Sequence, residues 1–150
     1  MPNPKPVLAA VVALGLAILV IFPDYIDLQS SSLVEDFLGV LGDEKIRASA
    51  AAAADMAFAI SYGLLGVVLY SYVSTGAARL IGTLAIIGAA AADEVENIMV
   101  LVNAQRGAET TQGAIDLMTT AGGIKWGLLL TAIILFLALA GHRWLEDRRS

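Results

Sequence analysis

Four long apolar stretches, separated by short polar segments, account for most of the chain. They cover about residues 7–25, 48–73, 80–102 and 119–141, and each approaches the roughly 20 residues that cross a bilayer as a helix. Short connections make consecutive helices run in opposite directions. The pattern therefore predicts an all-α fold: an integral membrane, antiparallel four-helix bundle that forms a single domain over residues 1–150.

The first apolar stretch runs from Val7 to Phe22, after Pro6 and before Pro23. Proline is tolerated in the first turn of a helix but cannot continue the backbone hydrogen bonds of a helix interior. No small-x-small cleavage pattern follows the stretch. We therefore interpret it as a retained membrane helix rather than as a signal peptide.

A short amphipathic segment separates the first two spans. Ser32 and Glu35 have the spacing of a capping box, and the apolar residues that follow them fall on one helix face. Gly42 can end such a helix. We expect a short helix over about residues 33–41 that lies in the membrane interface between spans one and two.

Composition supports the membrane class. The chain is 58% hydrophobic and 15% charged, with a mean hydropathy of +0.77, whereas soluble domains have about 25% charged residues. A net charge of −5 without a basic cluster argues against nucleic acid as a partner, and the absence of cysteine excludes disulfides and thiolate metal sites. The expected partner is the lipid bilayer. Assembly into a homo-oligomer or a larger membrane complex is compatible with four spans.

Location follows from the same features. The chain is predicted to be a multi-pass protein of the cell membrane. Lys and Arg near the ends of the spans are slightly more numerous on the side that carries both termini. Under the positive-inside rule, both termini are expected in the cytoplasm. No cofactor is predicted.

Acidic side chains interrupt the third apolar stretch. Asp93, Glu94, Glu96 and Asn97 lie within it, and Asp93, Glu96 and Asn97 fall within about 100° of one another on a helical wheel. A carboxylate inside the hydrocarbon core is costly unless it is paired, neutralised or hydrated. This face is therefore expected to point into the bundle.

Polar residues of the other spans lie at a similar height. At about 1.5 Å per residue, Glu96 and Lys125 are both about 25 Å from the terminus side of the bundle, and Asp55 and Tyr62 flank that level. One lysine cannot neutralise as many as four carboxylates, so protons, cations or water must balance the rest. The candidate ligand- or cation-binding residues are Asp55, Tyr62, Asp93, Glu94, Glu96, Asn97, Lys125 and Trp126.

Three short motifs in the last three spans carry a resemblance: Asp55-x-x-Phe58-x-x-x-Tyr62, Asp93-x-x-Glu96-Asn97 and Lys125-Trp126. Over about residues 48–140 they resemble a loose group of small, functionally uncharacterised bacterial four-helix membrane proteins. The resemblance implies the four-helix architecture. It implies no reaction.

Three functional interpretations remain open from the residues. The polar layer can bind a proton, a cation or a small cationic ligand, with transport by an oligomer as one use. It can instead be purely structural, in an accessory or assembly subunit of a larger membrane complex. A membrane-embedded enzyme that uses paired carboxylates is the third interpretation. Serine- or histidine-based hydrolysis is disfavoured because the single histidine, His142, lies at the other end of the bundle.

Overall fold

The computed structural model describes residue 20, residues 23–73 and residues 75–147. Helices are the only regular secondary structure among these residues, which confirms the predicted all-α class. The predicted first span lies almost wholly outside the described residues. The helices are α1 (Tyr25–Ser30), α2 (Val34–Leu41), α3 (Lys45–Val73), α4 (Gly76–Arg106) and α5 (Gln112–Asp147), with a 3₁₀ turn at Gly107–Glu109 between α4 and α5.

The three long helices pack with α4 between α3 and α5. Helices α3 and α4 are antiparallel, because Tyr62 contacts Asp93 whereas Tyr70, further along α3, lies against Gly82 near the start of α4. Only two residues connect these helices, as expected for a hairpin. Each long helix also continues beyond its predicted apolar stretch into polar residues, because helical hydrogen bonding does not require apolar side chains.

Small residues bring the long helices close together. A Cβ atom added to Gly66 of α3 would lie 2.5 Å from Cγ1 of Ile86 in α4. One added to Gly88 of α4 would lie 3.0 Å from Cδ1 of Leu128 in α5. Close backbone approach at small residues is a common mode of helix packing in membranes.

Helix α2 confirms the predicted short helix, but the predicted capping box is wrong. Neither Ser32 nor Glu35 makes a side-chain cap to this helix. Instead the Oε1 atom of Gln112, at the start of α5, accepts the Val34 backbone N–H at 3.3 Å, and its Nε2 atom donates to the Ser32 carbonyl at 2.8 Å. A residue distant in sequence therefore satisfies the helix terminus. Gly42 ends α2 with a positive φ of 47°, as predicted.

Helices α1 and α2 cover one end of the long helices. Their apolar side chains are buried against small residues of α3 and against α4 and α5, which fixes α1 above the polar face of α4. This cluster contains Tyr25, Leu28, Phe37, Leu41, Ala48, Ala51, Ala52, Val100, Ala104, Ile115 and Met118.

Large apolar side chains cover the outer surface of the long helices, among them Ile60, Leu64, Leu84, Ile87, Leu130 and Leu137. By length and apolar composition, two described helical segments are able to cross a membrane: Lys45–Val73 and Gln112–Leu145. Helix α4 carries three acidic residues in its predicted span and is not one of these two segments. Four membrane spans therefore remain a prediction.

Candidate functional site

Helix α4 directs its polar residues inward and its apolar residues outward. Asp93, Glu96 and Asn97 are only 3%, 3% and 0% exposed, whereas Val95 and Ile98 of the same turns are exposed. The spacing of the three polar residues places them on one face, as the sequence predicted. This arrangement is the reverse of that on a helix at the surface of a soluble protein.

Lys125 of α5 lies between two carboxylates of α4. Its Nζ atom is 3.1 Å from Oδ1 of Asp93 and 2.5 Å from Oε2 of Glu96, and all three side chains are buried. Gly122, one turn earlier in α5, makes room for the second carboxylate, because a Cβ atom there would lie 2.8 Å from Oε1 of Glu96. One ammonium group is therefore shared by two acids.

Two further donors fix Asp93. The hydroxyl of Tyr62 donates to Oδ2 at 3.0 Å, and Nδ2 of Asn97 donates to Oδ1 at 3.3 Å. Together with Lys125, these groups give the carboxylate three donors from three helices. Such a fully satisfied buried group orients the helices relative to one another.

Helix α1 connects this cluster to Asp55 of α3. Nε2 of Gln29 donates to Oδ2 of Asp55 and to Oδ1 of Asn97, both at 3.0 Å, and the Tyr25 hydroxyl donates to Oδ1 of Asn97 at 2.6 Å. Asp55 is buried. Among the described residues, Asp55 accepts a hydrogen bond from the amide of Gln29 and takes part in no ion pair.

These hydrogen bonds and ion pairs connect eight side chains into one cluster, which we call the polar network: Tyr25, Gln29, Asp55, Tyr62, Asp93, Glu96, Asn97 and Lys125. It contains three buried carboxyl groups and one ammonium group. If all of them were ionised, the net charge would be −2. Because an uncompensated buried charge is strongly destabilising, a proton, a cation or water must balance this excess.

Two predicted site residues stand apart from the polar network. Glu94 is half-buried, and its Oε1 atom is enclosed without a hydrogen-bond partner among the described residues. Trp126 is 64% exposed, and its ring centroid lies 5.5 Å from Nζ of Lys125, within the range of a cation–π interaction. Glu94 is therefore not joined to the cluster, whereas Trp126 borders it.

Tyr25 and Gln29 belong to the polar network but are not among the predicted site residues. The predicted first span ends at about residue 25, whereas Tyr25 and Gln29 both belong to the short helix α1. The available signal was their i, i+4 spacing, which places a phenol and an amide on one helix face. Their partners on α3 and α4 are 26 to 72 residues away in sequence and required the fold to be known.

Two cavities flank the polar network. The α1/α5 cavity measures about 310 Å³ and is bordered by Glu96, Gly122 and Trp126. The α3/α5 cavity measures about 390 Å³ and is bordered by Asp55 and, again, Trp126. Gln29 borders both cavities. Carboxyl groups of the polar network therefore line open space on two sides.

A metal site is not evident in the part of the chain that the structure describes. No group of three or more His, Cys, Asp or Glu side chains there is arranged to hold a metal ion. Lys125 lies between Asp93 and Glu96 and already supplies the positive charge that an ion would bring to that pair.

No protein-family model matches the chain, and neither a curated protein nor a solved structure matches it significantly. The resemblance to small bacterial four-helix membrane proteins therefore depends on the three short motifs alone.

Proposed function

We propose that the chain is a multi-pass membrane protein in which α3, α4, α5 and the predicted first helix form a four-helix bundle. Its inward-facing polar residues and outward-facing apolar residues suit a hydrocarbon solvent. Only 22% and 11% of the most apolar windows of Lys45–Val73 and Gln112–Leu145 are buried. A core helix of a soluble protein would be mostly buried, so these values favour lipid as the covering phase.

Within this protein, the polar network is a binding site for a proton or a small cation. The observation that carries this proposal is the ratio of three buried carboxyl groups to one lysine. Asp93 and Glu96 share Lys125, which leaves Asp55 without a cationic partner among the described residues. Asp55 also borders the α3/α5 cavity, so a proton or cation can reach it without disrupting the ion pairs.

A structural role is the second candidate, and the three donors around Asp93 favour it. A saturated hydrogen-bond cluster can hold helices in register in an accessory subunit of a larger complex. Catalysis by paired carboxylates is not favoured, because the ammonium group between Asp93 and Glu96 prevents them from acting as a free acid and base pair.

Ion-specific stability separates the two candidates. The full chain, in lipid nanodiscs, is unfolded thermally in sodium, potassium, magnesium and choline salts at equal ionic strength and across pH. A site responds to one particular cation, or to protons through Asp55, by mass action. A structural ion pair responds to ionic strength without ion specificity, and to pH only through its own members Asp93, Glu96 and Lys125.

Asp55→Asn is the decisive variant, because it removes the carboxylate that has no ion-pair partner, lowers the excess charge from −2 to −1, and leaves Lys125 paired. We expect it to abolish the specific response. The matched control, Glu109→Gln, changes an exposed carboxylate and should leave that response intact. If wild type and Asp55→Asn respond identically to every salt and pH, the site proposal is wrong and the structural role stands.

A further inference from the structure

The α3/α5 cavity has a charged end and an apolar body. Its volume of about 390 Å³ lies in the usual range for small-molecule pockets, about 300–1,000 Å³. Asp55 borders it at one end, and Leu65 and Leu69 border it further along α3. At 1.5 Å per residue, Asp55 and Leu69 are separated by about 21 Å along the helix axis. The cavity is therefore long enough for an elongated molecule.

A smaller cavity continues this space. It measures about 140 Å³, shares Gly66, Leu69 and Ile86 with the α3/α5 cavity, and extends to Phe136. Gly66 has no side chain at the point where α3 and α4 approach each other, so no side-chain atoms of this residue occupy the cavity. The far end of the space is thus suited to an aliphatic or aromatic group.

Aromatic rings surround the charged end. Phe58 and Tyr62 pack edge-to-face with centroids 5.4 Å apart, and Trp126 borders the cavity from α5. The centroid of the Trp126 ring lies 5.5 Å from Nζ of Lys125, within the range of a cation–π contact. Aromatic faces attract ammonium groups through the ring quadrupole, and most strongly where water is excluded.

The lining selects the chemical class of the occupant. Asp55, Asp93 and Lys125 all border the cavity, so its charged end has more carboxyl groups than ammonium groups, which disfavours an anion. Mg²⁺ or Ca²⁺ needs six or more oxygen ligands, and the rest of the lining is mostly apolar and does not supply them. We propose that the α3/α5 cavity binds a small amphiphilic organic cation, with its ammonium group at Asp55 and its apolar body along Leu65 and Leu129. This inference deepens the proposed function and rests on the polar network being a cation site.

A single tryptophan can report binding. The chain has two, and Trp144→Phe leaves Trp126 as the only one. The probe is benzyltrimethylammonium, added to the full chain in nanodiscs, and the matched ligand is neopentylbenzene, which has the same shape without the charge. We expect a saturable change in Trp126 emission with the cation and at least roughly tenfold weaker binding of the neutral compound, which corresponds to about 1.4 kcal/mol. Only the cation can form an ion pair with Asp55 and cation–π contacts with the aromatic rings.

Two variant pairs locate the site. Asp55→Asn should weaken binding of the cation roughly tenfold because it removes the carboxylate of the ion pair, whereas Glu109→Gln should not weaken it. Leu65→Phe should abolish binding by filling the cavity, whereas Leu64→Phe alters the neighbouring, outward-facing side chain and should bind normally. Leu65→Phe leaves the polar network unchanged, so it decides the question even if Asp55→Asn fails to fold.

The inference is overturned if no saturable signal appears, if the neutral compound binds equally well, or if Leu65→Phe binds as wild type does. The proposed function fails separately. A proton- or cation-specific stability response that requires Asp55, found without probe binding, keeps the site and rejects the organic ligand. If wild type shows neither the specific stability response nor probe binding, both the cation site and the organic ligand are rejected.

Discussion

Two adjacent glycines in α5 offer a matched test of the ion-pair geometry. A Cβ atom at Gly122 would lie 2.8 Å from Oε1 and 3.2 Å from Cδ of Glu96, whereas one at Gly123 would have no neighbour within 4 Å. Both positions lie in the interior of the same helix, so Gly→Ala brings a similar gain in helix propensity, about 0.5–1 kcal/mol, to each. The difference between Gly122→Ala and Gly123→Ala therefore isolates the contact with the carboxylate.

The magnitude follows from how Glu96 is held. A flexible carboxylate can usually move away from a new methyl group at little cost, but this one lies 2.5 Å from Nζ of Lys125 and is buried. Overpacking of such a site costs typically about 1–3 kcal/mol. We expect Gly122→Ala to be less stable than Gly123→Ala by that amount.

Chemical unfolding in mixed detergent–lipid micelles measures this difference. Far-ultraviolet circular dichroism should show the same helix content for both folded variants, so that the comparison concerns packing and not folding failure. Equal stabilities for the two alanine variants would show that Glu96 does not lie against Gly122, and the shared-ammonium geometry would have to be abandoned.

Three further predictions follow from the structure. Lys125→Met should lower the free energy of unfolding by about 3–5 kcal/mol, because it leaves Asp93 and Glu96 without a cation. Adding Asp93→Asn and Glu96→Gln to this variant should recover most of that loss in the same unfolding assay. Tyr62→Phe removes one of three donors to Asp93 and should cost about 1.5 kcal/mol, and a neutral result in that assay would show that the contact is absent. In the cysteine-free chain, a membrane-impermeant maleimide applied to intact cells should label Glu109→Cys and not Ala77→Cys. The two ends of α4 are about 45 Å apart, and cytoplasmic termini place the Glu109 end outside the cell. Labelling of Ala77→Cys alone would show that the topology is the reverse.

Sequence periodicity predicted the polar face of α4 well. Asp93, Glu96 and Asn97 occur at i, i+3 and i+4 inside an apolar stretch, and burial of a carboxylate in such a stretch requires a partner. Counting the helical rise then placed Lys125 at the height of Glu96, and the structure shows an ion pair between them. The inward face of α4 and the equal height of Lys125 and Glu96 follow from helix geometry alone, so both can be predicted without knowledge of the fold.

Contacts that depend on tertiary packing were beyond this reasoning. The separate helix α1, which brings Gln29 between Asp55 and Asn97, has no strong periodic signal because it is only six residues long. The start of α2 was misread for a similar reason: Gln112, distant in sequence, replaces the local capping box. The contact of Lys125 with both Asp93 and Glu96 could not be predicted either, because helical rise gives the height of a residue in the bundle and not its lateral distance from another helix.

We infer that the three buried carboxyl groups of the polar network cannot all be ionised when one lysine is their counter-charge. Infrared spectroscopy of the full chain in lipid, at neutral pH and without added salt, measures this directly through the C=O stretch of a protonated carboxylic acid. We predict that wild type shows this band and that Asp55→Asn reduces it, whereas Glu109→Gln leaves it unchanged. Absence of the band from wild type, with spectra identical in the carboxyl region for wild type and Asp55→Asn, would show that no buried carboxyl group of the polar network is protonated.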